Sequence, residues 1–596
     1  MASFLDKVKM KVASLGSHPE DLSCDHVTSM DFMEFNVSFN QEMQVDSSIK
    51  MNQQSFTRLL PLPQPTFGTV TLHNRAYFVK YTDVWKPFLA YYLNARFCNG
   101  QTSNIPLERP YITNNDLCGF YLSSGVSSVV PYVNPMPAKS YDFINALSGA
   151  TMYHKLTPFG RYAHKILRSL GYAPDFGAVI DKVDYHIDAL PLLCVAKVAL
   201  DWYYPPQYAD LVPLYNDVKN LMWQLDTFNV SVGDLNNIFS FIRYVGYDSD
   251  KFVSVFDNPI SPNANSFTDV NYTDIAVSGN SVGGLRSQVS TEDNNINNYN
   301  TPILRGINAS GNADNTVSPL QISDAAIKML ERVSDYLHRN SLAGSRVVDR
   351  FLARFGKQLS NEHIWRSSYV GRQNIVIQFG DVMSHSDTSG AALGDYAGKG
   401  IGFGDDGNFD FWTVEPGQFL VISSLVPRIG YVQGVDRNLL STTHLQEWQP
   451  EYDNVSVDAV GKGELYMPFH DLPITGNYAK SIFGFLHRYY YKKIARDRLS
   501  GNFTFASSDP GRDGYYLFRM FNNNSNLSHN VAFMKGNDSE QYNRIFNSIE
   551  NNQDYFNVIH RFSITYRSHM LPLWDNLDWH TGGKEIVMDT MGTKVN

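Results

Sequence analysis

A chain of 596 residues is long enough for two to four ordinary domains, or for one large core carrying long insertions. Charged residues are only 18% and aromatics 13%, so the surface is poor in charge and rich in side chains favoured at interfaces. A net charge of -10 argues against a nucleic-acid binder acting alone, and the composition suits a subunit that lives inside an assembly.

Four cysteines, Cys24, Cys98, Cys118 and Cys194, lie far apart with no CxxC pair. That pattern fits neither a zinc site nor a disulfide framework and suits a reducing cytoplasm. The opening MASFLDKVKMKVASLG alternates lysine with apolar residues and lacks the continuous apolar core of a signal peptide. The longest apolar run, 189–204, is broken by Pro191, Lys197 and Asp201, too short and too charged to span a bilayer. A soluble protein without membrane partners is expected. Residues 1–30, with Lys7, Lys9 and Lys11, read as an N-terminal arm, and 31–596 as a single domain with insertions.

In chain order, apolar residues first fall on alternate positions at Met33, Phe35, Val37, Phe39, Met43 and Val45, the pattern of a half-buried strand. Prolines 61, 63 and 65 forbid a central strand there. Two further strands are predicted over 69–72 and 76–81, leading into TDVWKPFLAYYLN as a short helix or irregular connection. Between 95 and 185 the chain is rich in Pro, Gly and Tyr and reads as loops with short helices, GRYAHKILRSLGY foremost. A helical insertion follows over 186–257. Within it 189–203 carries Leu193, Ala196, Leu200 and Tyr203 on one stripe, pairs Lys197 with Asp201 at i,i+4, and stops at Pro205 and Pro206.

The stretch 258–319 is asparagine-rich and lacks lysine, too polar for a core of its own, so a surface excursion is expected. Helices return over 320–358, with Ala326, Leu330, Val333 and Leu337, then Val348, Phe351, Leu352 and Phe355 before Gly356. Strands are predicted over 375–382, 418–426, 428–432 and 558–566. Since the first and last strands stand more than five hundred residues apart and each needs a partner, one sheet with very long connections is the economical architecture.

Chemistry-bearing motifs are sparse. Asp184, His186 and Asp188 alternate along one strand face as metal ligands would, although a hydrogen-bonded surface trio is the commoner outcome. GFGDDGNFD offers Asp405, Asp406, Asn408 and Asp410 to a structural calcium. Its spacing is not that of an EF-hand, and a glycine-rich turn explains the same residues. No nucleophile elbow, P-loop, zincin or dinucleotide fingerprint occurs, so no enzyme and no cofactor are expected.

The densest cluster is FGFLHRYYYKKIARDRLSGNF at 483–503, where Arg488, Lys492, Lys493, Arg496 and Arg498 mingle with Tyr489, Tyr490 and Tyr491. Cations interleaved with aromatic platforms suit single-stranded nucleic acid, which makes Arg488, Tyr489, Tyr491, Lys492, Lys493, Arg496 and Arg498 the candidate contacts. A neighbouring subunit's carboxylates, or plain solvation, would satisfy the same charges.

Three segments carry a resemblance. NSLAGSRVVDRFLARFG, then RSSYVGRQNIVIQFGDVMSHSDTS, presents Ala343, Gly344, Arg346, Phe355, Gly356, Arg366, Tyr369 and Gly371; EPGQFLVISSLVPRIGYVQGVDRNLL presents Tyr431, Gln433, Gly434 and Arg437; the basic cluster presents Phe483, Gly484, Arg488, Tyr489, Tyr491, Lys492 and Gly501. In order and spacing they resemble the major capsid proteins of the microviruses, small icosahedral single-stranded DNA bacteriophages, most nearly the gokushovirus branch. Leu486 and His487 replace the usual Gln-Glu, and Ile494, Ala495 and Arg496 a Lys-Pro-Ser run, as in a divergent member.

The resemblance implies a mainly β chain: a single eight-stranded antiparallel jelly roll with long, partly helical insertions between strands. It implies self-assembly through pentamers into a T=1-type shell around circular single-stranded DNA, in a virion assembled in the host cytoplasm. Expected partners are the chain itself, the genome, a small basic DNA-packaging protein, other virion proteins and a host receptor. The 258–319 excursion falls where relatives build a threefold protrusion. The rival expectation is a secreted carbohydrate-binding or carbohydrate-cleaving β-protein, which would need a signal peptide and a carboxylate pair in an aromatic cleft.

Overall fold

The computed structural model describes residues 17–62, 66–93, 108–131, 152–172, 185–205, 212–256, 347–357, 365–380, 399–440, 457–467, 481–504, 512–521, 527–536 and 554–570, with short pieces between them. Nine strands form the main sheet: β1 (His18–Asp21), β2 (Cys24–Met30), β3 (Asn36–Met43), β4 (Ser47–Leu59), β5 (Val70–Lys80), β6 (Ser368–Gly380), β7 (Lys399–Thr413), β8 (Gly417–Pro427) and β9 (Phe556–Ser568). Their order is β1-β9-β4-β7-β6-β5-β8-β3, with β2 also on β9, and every pairing is antiparallel. The chain is mainly β, and this sheet curls into a half-barrel.

β6 turns the corner. Its residues 368–377 pair with β5, while Gln378, Phe379 and Gly380 pair with Ile401, Gly400 and Lys399 of β7. The layer β3-β8-β5-β6 therefore faces the layer β7-β4-β9 across an interior.

Three belts fill that interior. At one end Phe39, Met43, Ile49, Met51, Phe78, Phe409, Phe419, Phe562 and Ile564 make an apolar cluster. At the other lie Leu59, Val70, Leu72, Ile375 and Ile377. Between them runs a polar belt. Asn74 Nδ2 donates to Ser55 Oγ at 3.1 Å and Gln373 Oε1 at 2.8 Å, and Asn74 Oδ1 accepts from Ser423 Oγ at 2.6 Å. Gln53 Nε2 and Ser55 Oγ stand 3.2 and 2.8 Å from His560 Nδ1. Mutual hydrogen bonding is what lets such groups leave water.

β7 meets β6 through glycines. A Cβ on Gly404 would stand 2.6 Å from Ile375, and one on Gly407 2.8 Å from the Gln53 carbonyl. The fit is reciprocal, since Phe409 of β7 occupies the space where Gly371 of β6 has no side chain.

The outer face of β3-β8-β5 is covered by helices. The principal ones are α1 (Pro158–Ser169), α2 (Leu190–Val198) and α3 (Val232–Ile242); α4 (Val347–Phe355) lies further along. α2 is buried at seven of its nine positions, so propensity matters less for it than tertiary packing. It continues as a π-helical turn, Ala199–Tyr203, where Tyr203 packs edge-on against Phe35 at 4.8 Å.

Several expectations are corrected. From His18 on, the expected arm is not an arm: β1 and β2 pair along β9, while 1–16 lie outside the described residues. The two strands expected over 69–81 are one continuous β5. The strand expected over 428–432 is irregular, because Pro427 ends the ladder with β5. GFGDDGNFD is no turn but the middle of β7, with a bulge between Gly404 and Gly407.

One further expectation agrees. α4 ends at Gly356, whose φ of 65° suits glycine and whose N–H donates to the Leu352 carbonyl at 2.8 Å. Of the excursion at 258–319, only the pairing of Gly306–Ile307 with Ala313–Asp314 is among the described residues. The helix expected from Ala326 to Leu337 falls largely outside them.

Candidate nucleic-acid interface

The basic and aromatic cluster follows a hairpin in which Val457–Gly461 pairs with Ile482–His487. Gly484 sits in this hairpin because a Cβ there would stand 2.7 Å from Val255. Tyr489 then adopts φ 58°, which reverses the chain into the short helix Tyr490–Lys493; its N–H donates to Asp458 Oδ2 at 2.7 Å, anchoring the reversal.

That reversal drives the rings inward. Tyr489, Tyr490 and Tyr491 are 1%, 3% and 5% exposed. The Tyr489 hydroxyl accepts from the Gln449 N–H at 3.2 Å, and the Tyr490 hydroxyl donates to Glu464 Oε1 at 2.5 Å. Glu464 is fully buried, and Lys251 Nζ at 2.9 Å and the Gly461 N–H at 3.1 Å satisfy it. Burial first, then the Glu464 charge, pushes the Tyr490 phenol up. Tyr489 and Tyr491 therefore belong to the core and offer no stacking platform.

The cations diverge from them. Lys492 reaches Glu447 at 3.2 Å and Lys493 reaches Asp453 at 2.9 Å, both carboxylates of the same chain. The Arg488 guanidinium lies over the Tyr489 ring at 5.3 Å. Arg496 donates from Nε to the Tyr431 carbonyl at 3.4 Å, and burial lowers its pKa. Arg498 is exposed. The arrangement retains an exposed cationic rim, partly matched by carboxylates, over a tyrosine core.

The other motif residues are joints of the fold. The Arg366 guanidinium stacks on Trp202 at 3.7 Å and donates to the Asp201 carbonyl at 3.3 Å, while the Ser367 N–H donates to Asp201 Oδ2 at 2.8 Å. This clamps the start of β6 to the π-helical turn, and Lys197 pairs with the same Asp201 at 2.9 Å. Tyr431 donates to Asp250 Oδ2 at 2.9 Å, and the side chain of Gln433 exchanges two hydrogen bonds with the Phe521 backbone, at 3.1 and 2.6 Å. A Cβ on Gly434 would lie 2.0 Å from the Glu464 carbonyl oxygen.

The other candidate ligands are engaged elsewhere. His186 stacks on Tyr111 at 3.7 Å and faces Glu108 at 3.0 Å; Asp188 pairs with Arg109 at 2.9 Å; Asp184 lies outside the described residues. In β7, Asp406 accepts from Gln373 at 3.2 Å, Asn408 from Asn52 at 2.7 Å, and Asp410 pairs with Lys50 at 3.3 Å, so these oxygens point to different neighbours. Among the described residues no three His, Cys, Asp or Glu side chains gather as a metal site would require, and Cys24 and Cys194 are free thiols. No helix among them is long and apolar enough to cross a membrane.

A curled antiparallel sheet with helical insertions on one side, its motif residues spent on joints, defines a structural β-protein of the coat type. Residues 208–574, more than half of the chain, match the sequence model of the capsid protein (F protein) family, and the chain belongs to that family, the major capsid proteins of the microviruses. It is thus a self-associating structural component of a bacteriophage virion. No curated protein matches the chain.

Proposed function

We propose that this chain tiles a T=1-type icosahedral shell around a circular single-stranded DNA genome, each subunit being an eight-stranded jelly roll. The family match over 208–574 carries this reading. The strand arrangement supports it: β1 and β2 lie end to end along β9, so nine strands occupy eight positions. Closure by symmetry lets many modest contacts add up to one stable container.

The genome meets the exposed cations Lys492, Lys493 and Arg498 through its phosphates alone, because the neighbouring tyrosines are buried. A chain of net charge -10 leaves most neutralisation of the DNA to a separate small basic protein. Assembly takes place in the host cytoplasm, and the excursion at 258–319 is the proposed receptor-facing protrusion. The carbohydrate reading has no support in the family match.

Electron microscopy of the purified chain, with nuclease digestion of its particles, tests the proposal. Closed shells protecting circular single-stranded DNA are expected; monodisperse monomers, or shells that enclose duplex DNA, overturn it.

A further inference from the structure

β2 pairs with β9 and β3 with β8, so the corner between β2 and β3 carries the chain from one layer of the sheet to the other. That corner is strained. Met33 takes φ 60°, a left-handed conformation that residues bearing a side chain resist. Backbone hydrogen bonds hold it there: the Met33 N–H donates to the Leu425 carbonyl of β8 at 2.8 Å, the Val245 N–H to the Met33 carbonyl at 2.8 Å, and the Phe35 N–H to the Arg243 carbonyl at 3.1 Å.

On either side of Met33 in the sequence, Asp31 and Glu34 belong to a buried charge cluster. Lys165 of α1 reaches Glu34 Oε2 at 2.7 Å and Asp554, two residues before β9, at 3.0 Å; the three side chains are 12%, 9% and 22% exposed. Ser29, near the end of β2, donates to the same Asp554 oxygen, and the Asp31 N–H donates to Glu34 Oε2 at 3.4 Å. One lysine thus joins the corner to a helix and to the central strand of the other layer.

The acids outnumber the cations that act on them. Lys165 acts on Asp31, and Lys165 with Arg161, one helical turn earlier, on Asp554; Glu34 and Asp554 oppose ionisation of Asp31. Tyr162 of α1 donates to the Phe35 carbonyl at 2.7 Å, and Arg243, just after α3, lies over the rings of Phe159 and Tyr244 at 5.9 and 4.8 Å. A third carboxyl beside two that already share the lysine is favoured in its neutral form, because like charges out of water disfavour one another. Burial first, then Glu34, raises Asp31 to about 7.

We propose that the β2–β3 corner is a proton-dependent latch between the two layers, closed while Asp31 is protonated and loosened when its ionisation sets a third negative charge beside Glu34 and Asp554. It is a property of the single subunit and stands whether or not the chain encloses DNA. Opening relieves the left-handed turn at Met33, which makes this corner the place that yields. The closed form holds the proton and the open form releases it, so the latch weakens as pH rises from about 4 through about 7 and then levels off.

Amide hydrogen exchange of the full-length, unassembled subunit, corrected for the intrinsic pH dependence of exchange, tests the proposal at the Met33, Phe35 and Val245 N–H groups. Asp31→Asn is the matched variant, being nearly isosteric and unable to ionise. Wild-type protection at these amides is expected to fall at least about tenfold between pH 5 and 8 relative to the amides of β8, and in Asp31→Asn to stay within about twofold. Constant protection in the wild type overturns the proposal without any variant. An equal fall in Asp31→Asn overturns it by assigning the proton to another group, and an equal fall along β8 overturns it by showing global unfolding instead of a local latch.

Discussion

The two layers of the sheet are made of the same kind of strand and meet the same interior, yet they are stabilised in different ways. β8, in the covered layer, is buried at all eleven positions: Phe419 and Val421 face the interior, and Leu420 and Ile422 face the helices. β4, in the layer left bare by the described residues, alternates buried with half-buried or exposed residues along its whole length. A strand packed on both faces draws its stability from apolar area, while one packed on a single face depends on register and on what its inward residues can bond. Among the described residues helices thus fill one side only, leaving one layer packed on both faces and the other on one.

The comparison can be broken most forcefully by truncating matched residues. Ile422→Ala in the covered layer should cost about 2–5 kcal/mol, whereas Phe403→Ala in the bare layer should change stability by less than about 0.5 kcal/mol. Urea unfolding of the unassembled subunit measures both, and equal losses would mean that the bare face is packed. Gly404→Ala should come next. Its new Cβ would press on Ile375, which is 4% exposed and has little room to yield, at a cost of about 1–3 kcal/mol in the same assay.

The smallest effect at neutral pH concerns the polar belt that ties the layers together. Burial, then the neighbouring His26, lowers the His560 pKa to about 3. Gln53 donates to Nδ1, which places the proton on Nε2, an atom without a partner in the interior. Between about pH 6.5 and 3 the unfolded chain takes up a proton there and the folded chain does not, so this contribution is complete above about 6.5 and is lost as pH falls. His164, lowered to about 4 chiefly by burial, acts in the same direction. Asp31 and Asp83, raised to about 7 chiefly by burial, act oppositely, stabilising at low pH and less so as pH rises through 7. His560→Gln isolates the first term: its stability relative to wild type should rise steadily as pH is lowered from 7 to 4. A flat difference would show that His560 is not buried neutral.

Legibility followed the same divide. β8, β9 and α2 were readable because their apolar periodicity matches their burial, as with Val558, Phe562, Ile564 and Tyr566 on the inner face of β9. β4 and β7 escaped notice although they lie at the centre of the sheet. Along β4 the inward residues change from Ile49 and Met51 to Gln53, Ser55 and Thr57, and along β7 Gly402, Gly404 and Gly407 precede the inward Phe409. Polar and glycine positions inside, with Phe56 and Phe403 outside, invert the usual signal.

The candidate site shows the same limit from the other side. Spacing located the cluster at 483–503 and the family motifs, but the left-handed turn at Tyr489 folded the expected stacking rings into the core. The motif arginine Arg366 proved to be a clamp on Trp202. In both places composition named the interacting groups without naming their partners.

By itself the sequence determined the capsid family, the mainly β character, the helical insertions and the positions of the strongest strands, because those rest on local periodicity and on motif order along the chain. Tertiary structure alone decided that the sheet folds back at Gln378–Gly380 and that a polar belt and a row of glycines fill its interior. Those features depend on which residues stand opposite one another across hundreds of positions, for which no local pattern exists.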